Sequence, residues 1–213
     1  MKSLNFIEST DFLNENKVPF VLEIKNINKE KDLLNPSINS FPYVMKLSSS
    51  LLHKTEKKAV YLNLINQKDL VSAFNSLSKL IVKEKIKGNI ILQKQVFGQE
   101  LIIGIKEDQV FGKVIMFGLG GIYTEIIKDV TFKVLPITEK DAEDMISKSK
   151  VGKILSGARG IKYPTTDLIE LIVKISNLAI KKDIKELDLN PVIINEKGLF
   201  VVDARVLLWI LVI

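Results

Sequence analysis

The chain has 213 residues, 46% of them hydrophobic, which suits one large domain or two small subdomains with a substantial core. Its net charge of +6 comes from basic residues interleaved with acids and not from a basic tract, so we expect a solvated basic surface or a small anionic ligand, and no binding of nucleic acid. The absence of cysteine excludes disulfides, thiolate metal sites and a cysteine nucleophile.

Neither end of the sequence predicts membrane targeting. The first 17 residues carry acids early and have no apolar segment, so we expect no signal peptide. The final apolar run, VLLWILVI, has eight residues, which is too short to cross a bilayer. Together with the absence of cysteine, these features predict a cytoplasmic protein that does not bind a membrane.

Short apolar runs alternate with amphipathic stretches along the chain, a pattern that predicts an α/β or α+β fold. In the first part, short apolar runs predict strands at 18–24, 43–47 and 59–65. Residues 67–85 are predicted to form a helix because their apolar residues recur at helical spacing. These residues are Leu70, Phe74, Leu77 and Ile81.

After Gly88 the pattern changes to a series of short strands separated by glycine or charged turns. The predicted strands of this series are 89–96, 100–106, 110–117, 122–127 and 131–137. The change of pattern predicts a boundary between two subdomains, which we place at 1–92 and 93–213.

Two helices and two strands are predicted in the last third of the chain. One helix starts at Thr138, where Asp141 completes a capping-box pattern, and the other spans 166–182 with one apolar face. Strands at 186–194 and 199–208 follow.

The two closing strands form a predicted hairpin around the turn residues NEKG. If the residues that flank this turn oppose each other, Asn190 faces Asp203. One step further along the same face, Asp188 faces Arg205. Oxygen ligands in this arrangement suit Mg²⁺, which takes one or two carboxylates together with phosphate oxygens and water. The alternative is a pair of ordinary surface contacts between the strands.

Two glycine-containing segments are further candidates for binding an anion. FGLGGIYTE (117–125) lacks the Gly-Lys-Ser/Thr ending of a Walker loop, and a strand is predicted where a dinucleotide fingerprint needs a helix. A turn between strands is the simpler interpretation of this segment. SGARG (156–160) sets Arg159 between two glycines, a flexible position for a contact with an anion.

Five stretches of the chain occur in an order and spacing that point to one family. They are YVMKLSSSLLHKTE, LQKQVFGQELIIGIKED, FGKVIMFGLGGIYTEIIKDVTFKVLPI, GARG and KELDLNPVIINEKGLFVVDARVLL. Together they resemble the β subunit of ADP-forming acetate–CoA ligase, an ATP-grasp protein related to the nucleotide-binding subunit of succinyl-CoA synthetase. The resemblance implies an ATP-grasp fold with two α+β subdomains and the nucleotide between them.

The resemblance implies a ligase that forms a carbon–sulfur bond and is active only with a partner. In the family, a CoA-binding α subunit forms an acyl phosphate and then a phosphohistidine. The β subunit exchanges this phosphoryl group with ADP and ATP in the presence of Mg²⁺. We therefore expect Mg²⁺ as a cofactor, ATP or ADP as a substrate, and an α2β2 assembly with the CoA-binding subunit.

The matching motif positions imply which residues contact the phosphates. Lys46 is expected to reach them from a strand, below a loop formed by His53, Lys54 and Thr55. His53 is the only histidine of the chain, and the resemblance implies that it carries the phosphoryl group. Neutral imidazole is a nucleophile near pH 7, and nearby cations stabilise its phosphorylated form.

The same positions imply how the rest of the nucleotide is bound. The backbone from Gln93 to Val96 is expected to read the adenine, and Glu100 to hold the ribose hydroxyls. Gly120 and Gly121 belong to the glycine-rich segment that is expected to contact the nucleotide.

The implied metal ligands are Asn190 and Asp203, the pair that the hairpin count brings together independently, with Asp188 as a third candidate. Glu125 falls on a motif position that is expected to bind nucleotide. Arg159 is expected to take part in catalysis.

Lys58 and Ala59 occupy two positions where the family has glycines after HKTE. Glycines there let backbone amides approach phosphate closely. A non-catalytic subunit that retains the fold is therefore one alternative. The other is a different ATP-grasp ligase that joins a carboxylate to an amine or a thiol.

Overall fold

Both parts of the molecule combine helices with antiparallel strands. The computed structural model describes residues 1–19, 24–49, 59–121, 129–157 and 160–209. The chain divides into two compact units, Met1–Phe20 with Phe97–Ile213 and Val21–Val96. The division expected from the sequence, 1–92 and 93–213, differs from this one because the first 20 residues belong to the larger unit. The mixed content confirms the predicted fold class.

Strands and α-helices are numbered along the described chain. The strands are β1 (Lys2–Ser3), β2 (Ile24–Ile27), β3 (Tyr43–Ser48), β4 (Val60–Leu64), β5 (Asn89–Lys94), β6 (Gln99–Asp108), β7 (Gly112–Leu119), β8 (Val130–Val134), β9 (Ile184–Asn195), β10 (Gly198–Val201) and β11 (Arg205–Leu208). The α-helices are α1 (Phe6–Glu15), α2 (Gln67–Glu84), α3 (Glu139–Lys148), α4 (Lys150–Leu155) and α5 (Thr165–Lys181), and a short 3₁₀ helix lies at Glu30–Leu34. None of these helices is both long enough and apolar enough to cross a membrane.

The smaller unit contains an antiparallel sheet with the described strand order β2-β5-β3-β4. Helix α2 packs on one face of this sheet, and it begins where the Asn66 side chain accepts a hydrogen bond from the Asp69 amide. The core between them consists of apolar residues from the helix and from alternate strand positions. Its members include Leu70, Ala73, Phe74, Leu77, Tyr43, Met45, Leu47, Ile90 and Leu92.

The opposite face of the smaller sheet carries polar residues, because successive side chains of a strand point to opposite sides. Lys46 lies on this face, is only 4% exposed and pairs with Ile91 of β5. Gln93 pairs with Val44, shares the same face and is 2% exposed. The strand predicted at 43–47 therefore buries a charged residue.

The larger unit is built on a sheet of seven described strands with the order β1-β11-β9-β6-β7-β8, in which β10 also pairs with β9. Helices α3 and α5 pack against each other and against this sheet. Helix α3 begins at Thr138, which forms the predicted capping box with Asp141. The apolar face predicted for α5 is buried, at Leu168, Leu171, Ile172, Ile175 and Leu178.

The closing hairpin has the predicted register. Leu199 pairs with Ile194 next to the turn. Beyond an interruption at 202–204, Arg205 pairs with Asp188 in the same register. The residue-by-residue opposition expected from the sequence is therefore confirmed on both sides of the interruption.

Several elements differ from the sequence prediction. Helix α1 and the short helix α4 are not predicted, although Asn5 and Glu8 form a capping box at the start of α1. Of the strand predicted at 18–24, residues 18 and 19 are not in a strand and residue 24 is the first of β2, while 20–23 lie outside the described residues. The single strand predicted at 199–208 is divided into β10 and β11. The strand predicted at 122–127 lies outside the described residues.

Candidate functional site

The interruption between β10 and β11 lies opposite Asn190. Pairs in a single register flank it on both sides, and this register, continued across the interruption, sets Asp203 opposite Asn190. The Val202 amide still donates to the Pro191 carbonyl at 3.2 Å, whereas the Asp203 carboxylate accepts a hydrogen bond from the Ala204 amide at 2.9 Å. A local bond of this kind competes with the strand ladder, which explains why the strand breaks at this position.

Asp188 and Arg205 continue the same face of the hairpin, and both residues are exposed. Leu187 and Leu189 point to the other face and are buried, as the alternation predicts. On its other side Asp188 pairs with Gly104 of β6, which has no side chain. Two carboxylates and one amide therefore belong to one face of the hairpin, and the Met116 methyl group would lie 3.1 Å from a Cβ at Gly104.

The glycine-rich segment is tied to this hairpin. The Gly121 amide donates a hydrogen bond to the Asn190 Oδ1 at 2.9 Å. Gly121 has a φ of 79°, and a Cβ at this position would lie 1.6 Å from the Glu100 Oε2. The Gly120 amide donates to the Glu100 carbonyl at 3.0 Å. Glu100, the two glycines and Asn190 thus form one connected cluster within the larger unit.

The carboxyl of Glu100 is the part of this residue that is partly buried. The residue as a whole remains exposed, but burial of the carboxyl raises its pKa. The ribose contact that the sequence predicts for Glu100 stays a prediction.

The donor set of the hairpin fits magnesium. Asn190, Asp203 and Asp188 offer one amide oxygen and two carboxylates. Among the described residues, no group of three His, Cys, Asp or Glu side chains is arranged to hold a metal ion. A partial set of hard oxygen ligands suits Mg²⁺, which completes its octahedral shell with water and phosphate oxygens.

The smaller unit has its own set of polar residues on one sheet face. Lys46 and Gln93 are both buried there, and the Gln93 Nε2 has no hydrogen-bond partner among the described residues. A buried amide without a partner is costly, so such a group commonly serves a ligand. Val96 follows β5 and is half-buried. The backbone role predicted for Gln93 to Val96 stays a prediction.

Several predicted site residues lie outside the described residues. They are His53, Lys54, Thr55, Glu125 and Arg159. Their roles therefore remain predictions from the sequence.

Some contacts of the cluster are not predicted from the sequence. The hydrogen bond between Gly121 and Asn190 joins residues 69 positions apart, and no local sequence pattern predicts it. The unpaired Nε2 of Gln93 is also missed, because the alternation of β5 shows only that this side chain faces away from the helix.

The fold and this arrangement define the class of protein. Residues 2–208 match the family model described as the ATP-grasp domain. The chain belongs to the ATP-grasp family, as the resemblance implied.

Curated relatives show which ATP-grasp proteins this chain is similar to. The chain is 43% identical to the acetate–CoA ligase [ADP-forming] II subunit beta of Pyrococcus furiosus, over 79% of this chain and 75% of that one. It is also 45% identical to the 4-hydroxybutyrate–CoA ligase [ADP-forming] of Nitrosopumilus maritimus, over 74% of this chain. The matched region spans only 24% of the length of the latter ligase.

Solved structures agree with these relatives. An acetyl-coenzyme A synthetase 1 from Korarchaeum cryptofilum, in complex with coenzyme A and Ca-AMPCP, has a TM-score of 0.86 and 33% identity. The match covers 98% of this chain and 94% of that one. Another structure of that synthetase, with Mg-AMPPCP and its phosphohistidine segment pointing towards the nucleotide binding site, has a TM-score of 0.79 and 33% identity, with 98% and 93% coverage.

Proposed function

We propose that this chain is the nucleotide-binding subunit of an ADP-forming acyl-CoA synthetase. It transfers a phosphoryl group between a phosphohistidine and ADP in the presence of Mg²⁺. The observation that supports the proposal most is the hairpin register, which on both sides of the break agrees with an opposition of Asn190 and Asp203, together with the close approach of Glu100 to Gly121. The relatives named as acetate–CoA ligase β subunits support the reaction class.

In the proposed transfer, His53 carries the phosphoryl group. A β-phosphate oxygen of ADP attacks the phosphorus, the N–P bond breaks, and its electron pair returns to the imidazole ring as ATP forms. This chemistry needs positioning and charge stabilisation more than covalent participation by further groups. Lys46, Lys54 and Arg159 supply positive charge around the phosphates, and Thr55 supplies a hydroxyl donor.

The larger unit holds the other parts of the nucleotide in this proposal. Asn190 and Asp203, with Asp188, hold Mg²⁺, which when bound neutralises phosphate charge and polarises the transferred group. Glu100 accepts hydrogen bonds from the ribose hydroxyls. Glu125 contacts the nucleotide.

The partner in this proposal is a CoA-binding α subunit. Two relatives are named as separate β subunits, of which the chain spans 75%. In two relatives whose names carry no subunit designation, the matched region is about a quarter of the length. We propose that the two subunits assemble as α2β2, which light scattering of the purified complex measures directly.

The function is tested by reconstitution. The chain is mixed with a purified CoA-binding subunit, acetyl-CoA, phosphate, Mg²⁺ and ADP, and ATP formation is followed. His53→Ala is expected to abolish ATP formation and the labelling of this chain from radioactive phosphate. Asp203→Ala is expected to weaken Mg·ADP binding by at least about tenfold, as loss of a metal-binding group does.

Glu196→Ala is the matched control, since it removes an exposed carboxylate from the turn of the same hairpin. Its Mg·ADP affinity and its rate are expected to equal those of the wild type. An unchanged rate in His53→Ala refutes the carrier role, and an unchanged affinity in Asp203→Ala refutes the metal role of the hairpin.

A non-catalytic nucleotide-binding subunit is the second candidate function. Two family glycines are replaced here by Lys58 and Ala59. This replacement favours the non-catalytic function, because side chains at these positions keep the backbone amides further from phosphate. Ala59 is buried, and its carbonyl accepts a hydrogen bond from the Leu47 amide at 2.9 Å. Mg·ADP binding without any labelling of His53 in the reconstituted complex decides for this candidate.

A further inference from the structure

Asp129 is a buried acid that the proposed reaction does not use. It is 8% exposed, and it is the one aspartate or glutamate among the buried residues that the structure describes. Ionised carboxylates are rarely buried unless several donors compensate them. Its surroundings therefore indicate what it does.

Both carboxylate oxygens of Asp129 cap helix α4. Oδ1 accepts a hydrogen bond from the Lys150 amide and Oδ2 from the Val151 amide, each at 2.8 Å. The next amide, that of Gly152, donates to the Ser149 Oγ at 2.9 Å. The first turn of α4 is thus fully capped by the protein itself, and the negative charge suits the positive end of a helix.

The backbone of Asp129 is fixed to a second element. Its carbonyl accepts a hydrogen bond from the Leu119 amide at 3.0 Å, at the end of β7. A Cβ on Gly118 would lie 1.9 Å from that carbonyl oxygen, so this close approach requires a glycine at 118. Asp129 therefore joins the end of β7 to the start of α4.

The position of Asp129 in the chain connects these contacts to the proposed site. Residues 122–128, which include Glu125, end directly before it. At their other end, Gly121 is held by the bond to Asn190 at 2.9 Å. Helix α4 in turn leads directly into residues 156–160, which include Arg159.

We infer that Asp129 is a positioning residue that holds the end of β7, from which Gly120 and Gly121 follow, and the start of helix α4 in one arrangement. The inference rests on the proposed function, because that function places the nucleotide beside Gly121. Asp129 itself touches no substrate in this scheme and acts through the elements that it joins.

Asn is the informative substitution at this position. Each carboxylate oxygen accepts from a different backbone amide. An Asn side chain has one acceptor oxygen, so one amide then faces an NH₂ group and is left unsatisfied. Asp129→Asn therefore removes one of the two hydrogen bonds to α4 while it changes the volume of the side chain very little.

The test compares Asp129→Asn with Ser149→Ala in the full chain. Ser149→Ala removes a cap from the same turn of α4, and the described hydrogen bonds of this hydroxyl go to Gly152 and Ile146 and not to the glycine-rich segment. Both variants are expected to lower the melting temperature. Asp129→Asn is expected to raise the Kd for Mg·ADP about tenfold, the order expected for one lost charge-assisted hydrogen bond, and to lower kcat in the reconstituted enzyme. Ser149→Ala is expected to leave both constants unchanged.

Equal effects of the two variants on Kd and kcat overturn the inference, because the stability of α4 alone then accounts for them. Amide hydrogen exchange of the wild type gives a second test that needs no variant. Protection of the Lys150 and Val151 amides is expected to rise on Mg·ADP binding, and unchanged protection overturns the inference. If the wild type does not bind Mg·ADP, the proposed function fails and the inference fails with it, whereas normal wild-type binding with a silent Asp129→Asn refutes the inference alone.

Discussion

Replacing Gly121 by alanine tests the contact between the glycine-rich segment and Glu100. Gly121 has a φ of 79°, and an added Cβ would lie 1.6 Å from the Glu100 Oε2. That atom is the end of a flexible side chain, so the clash is relieved by moving the carboxylate. The expected damage is therefore to the position of Glu100 more than to stability.

Gly112 is a matched control for the backbone strain of this substitution. It has a φ of 73°, and an added Cβ would have no neighbour within 4 Å. Alanine costs roughly 1–2 kcal/mol in the left-handed region, and both variants bear this cost. For a chain of this size the expected fall in melting temperature is about 2–4 °C per kcal/mol.

Binding of Mg·ADP separates the two variants. Gly121→Ala is expected to raise the Kd about tenfold, the order of one displaced charge-assisted contact, while Gly112→Ala leaves it unchanged. Calorimetric titration of each variant with Mg·ADP measures the difference, after thermal unfolding has shown that both are folded. Equal Kd values for the two variants would refute the role of the Glu100–Gly121 contact in nucleotide binding.

Two further predictions concern pH. Hydrogen bonds, chiefly from Thr138 and also from Lys133, lower the pKa of Asp141 from 3.8 to about 2. The contribution of Asp141 to stability is therefore present above pH 3.8 and is lost as the pH falls towards 2. Asp141→Asn is expected to flatten the curve of melting temperature against pH in this range. A curve that runs parallel to that of the wild type contradicts the prediction. Burial raises the pKa of Glu100 above 4.5, so its stabilising contribution is present below that pH and is lost as the pH rises through the raised value. Glu100→Gln is expected to melt higher than the wild type at pH 7 and equally at pH 4; a constant difference refutes this.

The sequence predicts the local and periodic features of this fold well. The helix at 67–85, the apolar face of α5 and the capping box at Thr138 all depend on residues within a few positions of one another. The hairpin register is also local, because a short turn fixes which residues are opposed. From this register alone, Asn190 is expected to face Asp203.

The features that the sequence does not reveal depend on long-range contacts or on weak local patterns. Residues 1–20 join the larger unit because of tertiary packing, which no local pattern records. The break at 202–204 arises where the Asp203 side chain bonds a neighbouring amide in place of the ladder. The hydrogen bond from Gly121 to Asn190 spans 69 positions, so the periodicity of the sequence does not predict it.

The polar face of the smaller sheet has a feature that a ligand would explain. The Gln93 Nε2 is buried and finds no hydrogen-bond partner in the part of the chain that the structure describes, a situation that costs about 1–3 kcal/mol. A leucine of similar volume would avoid that cost, so stability alone does not account for the amide. The buried Lys46 shares this face, and a ligand with acceptor atoms would satisfy the Gln93 amide beside it. Mg·ADP is such a ligand, and at about 100 times its Kd it stabilises a chain that binds it by about 2.7 kcal/mol. On this argument the folded chain without nucleotide retains a free-energy cost that binding removes.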